Sequence, residues 1–219
     1  MMNLAQHEWR RFCQNGEDGI IRHLLSVIDH DGRSRCVELG SHYQYGNCYL
    51  LAEEGRPVRF VDMREEIETV LAHRFPEAEC VRSKIVIENV NQFVSNDTLF
   101  LSLDIDGNDY WIWKAITDRP PLVVVEFNWF WPPPLRLSVP YDPDFVWNDG
   151  SIYQGASLAA FESLGIEKGY LFVGVDSVQL NAFFVRRDCG DPSWACRAGD
   201  VWSVPNWSHG IVQRPWVEV

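Results

Sequence analysis

Strand-length apolar runs alternate along the chain with stretches whose apolar residues recur every three or four positions. That alternation predicts βαβ units and a parallel sheet. In NGEDGIIRHLLSVID, Ile20, Ile21, Leu24, Leu25 and Ile28 fall on one helix face, with Asn15 as cap. Glu17 and Asp18 there suit the positive end of the helix dipole. A strand RCVEL, a loop GSHYQYGN and a helix CYLLAEE stopped at Gly55 follow. VRFVD is the second strand, succeeded by a helix to about Arg74 and a third strand near ECVRS. ENVNQFV reads as a short helix, TLFLSLDID as the fourth strand, DYWIWKAI as a helix and PLVVVEFN as the fifth strand.

An aromatic, proline-rich insertion spans residues 129–153, and GASLAAFESLGIEKG then gives a helix with a glycine stop. YLFVGVDS and LNAFFVRR lie too close together for a crossover helix, so they pair antiparallel. The pattern predicts one Rossmann-like α/β domain over residues 1–188. Its sheet is mostly parallel and seven-stranded, with helices on both faces and a closing antiparallel hairpin. Residues 189–219 form an irregular extension rich in Trp and Pro. A chain of 219 residues can bury a full core.

Composition narrows the partners. The net charge of −12, from 19 basic and 31 acidic residues without a Lys/Arg-rich run, argues against a nucleic-acid partner. No apolar run approaches the roughly 20 residues of a membrane span. The first residues, MMNLAQHEWRRFCQ, lack a signal-peptide apolar region, so a cytoplasmic location is expected. The 6 cysteines form no C-x-x-C pair and read as small buried hydrophobes.

In an open α/β sheet the ligand lies beyond the carboxyl ends of the strands, where strand order reverses. The first strand ends in Val37-Glu38-Leu39-Gly40, followed by Ser41 and Gly46-Asn47. Gly40 permits a tight turn and a close ligand approach, and Glu38 is placed to meet the amino-acid end of a cofactor. Asp62 ends the second strand, where an acid accepts hydrogen bonds from ribose hydroxyls. A dinucleotide needs G-x-G-x-x-G for its pyrophosphate, but His42 and Tyr45 hold the second and third glycine positions. One glycine and two acids suit a sulfonium cofactor, which has no phosphates.

Strand alternation puts Asp104 and Asp106 on one face, and Glu126 and Asn128 on one face of the next strand. These oxygen-bearing side chains are expected at one rim. One reading is a Mg²⁺ or other divalent-cation site held by Asp104, Asp106 and Asn128, activating an acceptor hydroxyl. Another makes Asp106 or Glu126 the general base without metal. A third has the two aspartates merely capping the following helix. His42, in the loop after the first strand, is a further candidate base, and His209 in the tail could close over the site. The run Trp129-Phe130-Trp131-Pro132-Pro133-Pro134, with Tyr141, Asp142 and Asp144, suits either a water-excluding lid or a packing strap. The 10 tryptophans would also suit a homodimer contact.

The element order is the layout of class I methyltransferases. QNGEDGI (14–20), VELG (37–40), LSLDIDGNDYWIWKAI (101–116), VVVEFN (123–128), VPYDPDFVW (139–147), GASLAA (155–160) and LNAFFVRRD (180–188) together resemble FkbM-like methyltransferases, within a bacterial branch. The resemblance implies S-adenosylmethionine as cofactor and O-methylation of a sugar or secondary-metabolite hydroxyl. It also implies Glu38, Gly40, Asp62 and Asp104 on the cofactor side, with Gln14, Glu17 and Asp18 closing over the methionine part. The acidic pairs are similar in placement to the metal ligands of catechol O-methyltransferase and macrolide sugar methyltransferases. Those carry Asp-Asn or Asp-Asp after the fifth strand, where this chain has Glu-Phe-Asn. Expected, then, is a small-molecule methyltransferase. The alternatives are another use of the same cofactor (aminocarboxypropyl transfer or cyclisation) and a non-catalytic Trp-rich interaction domain.

Overall fold

The computed structural model describes residues 2–28, 32–148, 150–204 and 214–219; His209 lies outside them. Seven strands build the main sheet: β1 (Arg35–Leu39), β2 (Val58–Asp62), β3 (Glu79–Arg82), β4 (Thr98–Leu103), β5 (Leu122–Glu126), β6 (Tyr170–Val175) and β7 (Asn181–Arg186). Their order is β3-β2-β1-β4-β5-β7-β6. The first five are parallel, and β7 runs antiparallel to both β5 and β6. The expected hairpin is therefore inserted with β7 next to β5. This is the class I methyltransferase arrangement. Strand order reverses between β1 and β4, and the crevice opens there.

Sequence explains which strands are central. β4 and β7 are buried along their whole length, as apolar runs covered on both faces must be, whereas β3 is half-exposed at the edge. Alternation divides the core. Val37, Leu101 and Val123 pack with Trp113 and Phe161 on one face. Cys36, Phe100 and Val124 pack with Ile20, Leu24 and Tyr49 on the other. Each fully buried Leu, Ile or Phe contributes roughly 1.5–3 kcal/mol over its exposed state.

The α-helices among the described residues are α1 (Glu17–Val27), α2 (Tyr49–Glu53), α3 (Ala72–Arg74, continuing a π-helix over Ile67–Leu71), α4 (Asp109–Ala115), α5 (Leu158–Glu167) and the short α6 (Ala198–Val201). One cap differs from expectation. Gly16, not Asn15, precedes α1, because Asn15 donates its backbone N–H and Nδ2 to the Glu17 carboxylate. Asp18 likewise serves the preceding loop, accepting from the N–H groups of Arg11, Phe12 and Cys13. The fourth strand ends at Leu103, earlier than the apolar pattern suggests, because Asp106 adopts a left-handed φ of 58° and the chain turns.

Beyond β7 the extension returns to the insertion. Leu137–Ser138 pairs antiparallel with Val217–Glu218, and Trp216 packs edge-on against Trp131 and Tyr153. The Trp202 indole donates to the Trp129 carbonyl at 3.0 Å. The cysteines are free thiols. Among the described residues, no helix is long and apolar enough to cross a membrane.

Candidate functional site

Three adjoining cavities occupy the carboxyl ends of β1, β2, β4 and β5, and Asp104 lines all of them. A broad cavity of about 410 Å³ lies between the acids of β4 and β5 and the aromatic insertion. A narrow throat of about 30 Å³ runs beside Glu17, Glu38 and Asn47. A slot of about 260 Å³ lies over Asp62, Lys84 and Ile105.

The loop after β1 shapes the throat. Gly40 has φ 89°, and a Cβ there would stand 1.5 Å from the Asp104 carbonyl oxygen. The close approach that requires this glycine is thus made by β4's own backbone. Glu38 is 5% exposed and accepts from the Cys48 N–H at 2.7 Å, so it anchors the loop while lining the throat. Burial pushes its carboxyl up to about 7, against the pull of those backbone donors. Asn47 donates to Ser102 Oγ at 3.0 Å across the throat. Glu17 accepts from Asn181 Nδ2 at 2.9 Å at the throat's inner end. Ser41 is placed differently from expectation: its hydroxyl turns back onto the Glu38 carbonyl, and its side chain lines none of the three cavities.

His42 and Tyr45 stack with ring centroids 4.2 Å apart above the turn. A nicotinamide or flavin dinucleotide would need bare backbone at those two positions. His42 faces the broad cavity and throat, but its Nδ1 already accepts from the Gln44 N–H at 3.2 Å. Burial and the Arg64 charge hold the imidazole below its usual pKa.

The acids converge as expected, with one change of membership. Oxygens of Asp104, Asp106 and Glu126 lie within 4.8 Å of one another. The Asp104 and Glu126 carboxyls contact each other; burial first and neighbouring acids second push both well up. Asp106 is also raised by burial, opposed by the Arg64 cation. Asn128 lines the broad cavity but its amide is used structurally. Nδ2 donates to the carbonyls of Ile152 and Gln154, at 2.6 and 2.8 Å, and Oδ1 accepts from the Phe130 N–H. Glu126 therefore provides the third carboxylate, and Asn128 ties the insertion to β5. Asp104 and Asp106 do not cap α4. Asp109, within the first turn, closes that loop by accepting from the N–H groups of Ile105 and Gly107, both at 2.8 Å.

Asp62 stands at the slot's rim, 6% exposed. Arg64, which sequence reading overlooked, holds it and lines both the slot and the broad cavity. The readable signal was D-M-R at the end of β2, a basic residue two positions past the predicted ribose acid. Gln14 also lines the broad cavity and the throat. Counting across the crevice, Glu17, Glu38, Asp62, Asp104, Asp106 and Glu126 face Arg64 and the peripheral Lys84. The crevice is suited to cationic groups and poorly suited to phosphates.

The insertion closes the broad cavity through Trp129, Trp147 and Ile152, with Gln154 just past its end. The two segments DIDGND and PYDPDF meet. Asn108 Nδ2 donates to the Asp142 carbonyl at 2.7 Å, and Trp111 Nε1 donates to the Val139 carbonyl at 2.8 Å.

No protein-family model and no curated protein matches the chain. Solved structures do overlap it. The N-terminal domain of EvdMO1 with S-adenosylhomocysteine bound aligns at TM-score 0.48 and 12% identity, covering 80% of this chain and 80% of that one. A Listeria monocytogenes protein described as an S-adenosylmethionine-dependent methyltransferase aligns at 0.48 and 12%, covering 76% and 96%. Monomeric WbdD aligns at 0.43 and 16%, covering 70% of this chain and 36% of that one. Overlaps this shallow carry no chemistry across, and the site stands on its own residues. By strand order and direction, the chain has the class I methyltransferase fold, with an acid-lined crevice at the switch point of its sheet.

Proposed function

We propose that the chain binds S-adenosylmethionine along this crevice and transfers the methyl group to a hydroxyl oxygen of a small molecule held in the broad cavity. The observation that carries this reading is the convergence of carboxylates from β1, β2, β4 and β5 at the switch point, with His42 and Tyr45 stacked where a pyrophosphate would have to sit. A cofactor bearing an ammonium and a sulfonium, and no phosphate, complements such a site.

The residues divide the work. Glu17, Glu38 and Asn47 surround a throat with room for one small head group, and they take the ammonium end. Asp62 takes a ribose hydroxyl. Gly40 and Asp104 form the floor between throat and broad cavity. Asp106, held beside the Arg64 cation, is the better placed of the acids to receive the acceptor's proton. The insertion orients the acceptor and excludes water. With the cofactor bound, its sulfonium would supply the methyl group and leave as a neutral thioether, while Asp106 would take the acceptor's proton.

Asp104, Asp106 and Glu126 offer hard oxygen donors close enough to share one ion, a set that fits Mg²⁺ with waters completing its shell. When bound, such an ion would lower the pKa of an acceptor hydroxyl. The test is mass spectrometry of the cofactor product after incubation with hydroxylated candidate acceptors. S-adenosylhomocysteine together with an acceptor heavier by one methylene is the expected result. Methylthioadenosine in its place overturns methyl transfer in favour of aminocarboxypropyl chemistry.

A further inference from the structure

The slot over Asp62 has two apolar walls of different origin. Met63, Ile85 and Ile105, from the ends of β2, β3 and β4, make one; Phe145, Val146 and Trp147, from the insertion after β5, make the other. Val146 is 58% exposed along this strap, more than any cover for a finished core would leave. The strap is docked on the loop after β4. A Cβ on Gly107 would stand 2.3 Å from the Phe145 ring, so glycine there is what lets the ring lie flat against the turn. Asn108 and Asp142 exchange two hydrogen bonds, Nδ2 to carbonyl at 2.7 Å and N–H to Oδ1 at 3.3 Å. At the far edge the exposed Lys84 Nζ meets Asp144 at 2.6 Å. Trp147 lines both the slot and the broad cavity.

A gap bounded by aliphatic residues below and an aromatic ring above, with a carboxylate at its rim, fits a flat heterocycle joined to a sugar. We infer that the insertion after β5 closes the nucleoside end of the cofactor site, with Phe145 as the wall over the base, and lifts for the cofactor to enter or leave. This rests on the cofactor reading above and extends it: one strap covers both ligands. Because Trp147 belongs to both cavities, filling the slot also sets the wall that the acceptor meets. The exposed Lys84–Asp144 pair is worth little by itself, as solvent-screened pairs are. The strap is therefore held shut chiefly by Phe145 and the Asn108–Asp142 bonds.

The test is calorimetry and stopped-flow dissociation with S-adenosylhomocysteine and with adenosine as a nucleoside-only probe. Phe145→Ala should weaken both ligands by the same factor, about tenfold or more, and speed S-adenosylhomocysteine release. Phe145→Leu, which keeps most of the bulk and guards against a folding defect, should give an intermediate loss. Leu135→Ala, in the same insertion but outside all three cavities, should bind like the wild type. Wild-type affinity and release rate in both Phe145 variants would overturn the strap's role while leaving the cofactor assignment standing. Absence of S-adenosylhomocysteine binding by the wild type would overturn both.

Discussion

Arg64 grips Asp62 through both carboxylate oxygens, Nε to Oδ1 and Nη2 to Oδ2 at 2.9 Å each, and its backbone N–H adds a third bond to Oδ1 at 2.7 Å. A carboxylate offers about four lone-pair positions, so one remains on Oδ2. The pair thus leaves a nearly buried carboxylate at the slot's rim with a single acceptor site, which matches one ribose hydroxyl.

Asp62→Ala should accordingly weaken S-adenosylhomocysteine by about one to two orders of magnitude in calorimetry, the range of a lost charge-assisted hydrogen bond. Unchanged affinity would remove Asp62 from the cofactor site.

Asp106 is the acid to test for turnover. Its φ of 58° is one that Asn also tolerates, so Asp106→Asn should keep the fold where a β-branched residue would strain it. With the proton acceptor gone, methyl transfer should fall by about two orders of magnitude or more, with circular dichroism and melting temperature close to wild type. An active variant would refute the role.

The three clustered carboxylates make the metal question direct. If they hold Mg²⁺, EDTA should suppress activity and added Mg²⁺ restore it. Full activity in chelator would leave Asp106 and Glu126 to act without an ion.

Stability should fall as pH rises. Burial pushes both Glu38 and Asp176 up to about 7 in the folded chain, against ordinary carboxylate values near 4 when unfolded. Between those values the folded state binds more protons, so the stability present at acidic pH is lost as pH rises through 7. The melting temperature should drop by on the order of 5 °C from pH 5 to pH 8. Asp176→Asn, uncharged throughout, should reduce that drop. A flat or rising profile would contradict the assignment.

Most of the fold was legible because central strands must be apolar on both faces: TLFLSL and LVVVE could hardly lie elsewhere. The parallel order and the terminal hairpin followed from connection lengths. Alternation brought the acids to the correct rim, but in the fourth strand it holds only up to Leu103. Beyond it the left-handed turn at Asp106 replaces strand geometry, and no count of alternate residues places the side chains. Alternation also grouped Asn128 with Glu126, but could not show that the Asn128 amide is taken by the carbonyls of Ile152 and Gln154, 24 and 26 residues onward. Arg64 escaped because a single arginine after a strand resembles any surface charge until its partner's burial is known. The pairing of Val217–Glu218 with Leu137–Ser138 is too short to carry a periodic signal.

The central claim concerns which ligand this arrangement of acids accepts, and a calorimetric titration of the purified chain reads it most directly. S-adenosylmethionine should bind once per chain, and NAD⁺, which brings phosphates to a crevice lined with carboxylates, should give no heat. Silence with S-adenosylmethionine, or saturable binding of NAD⁺, would contradict the account.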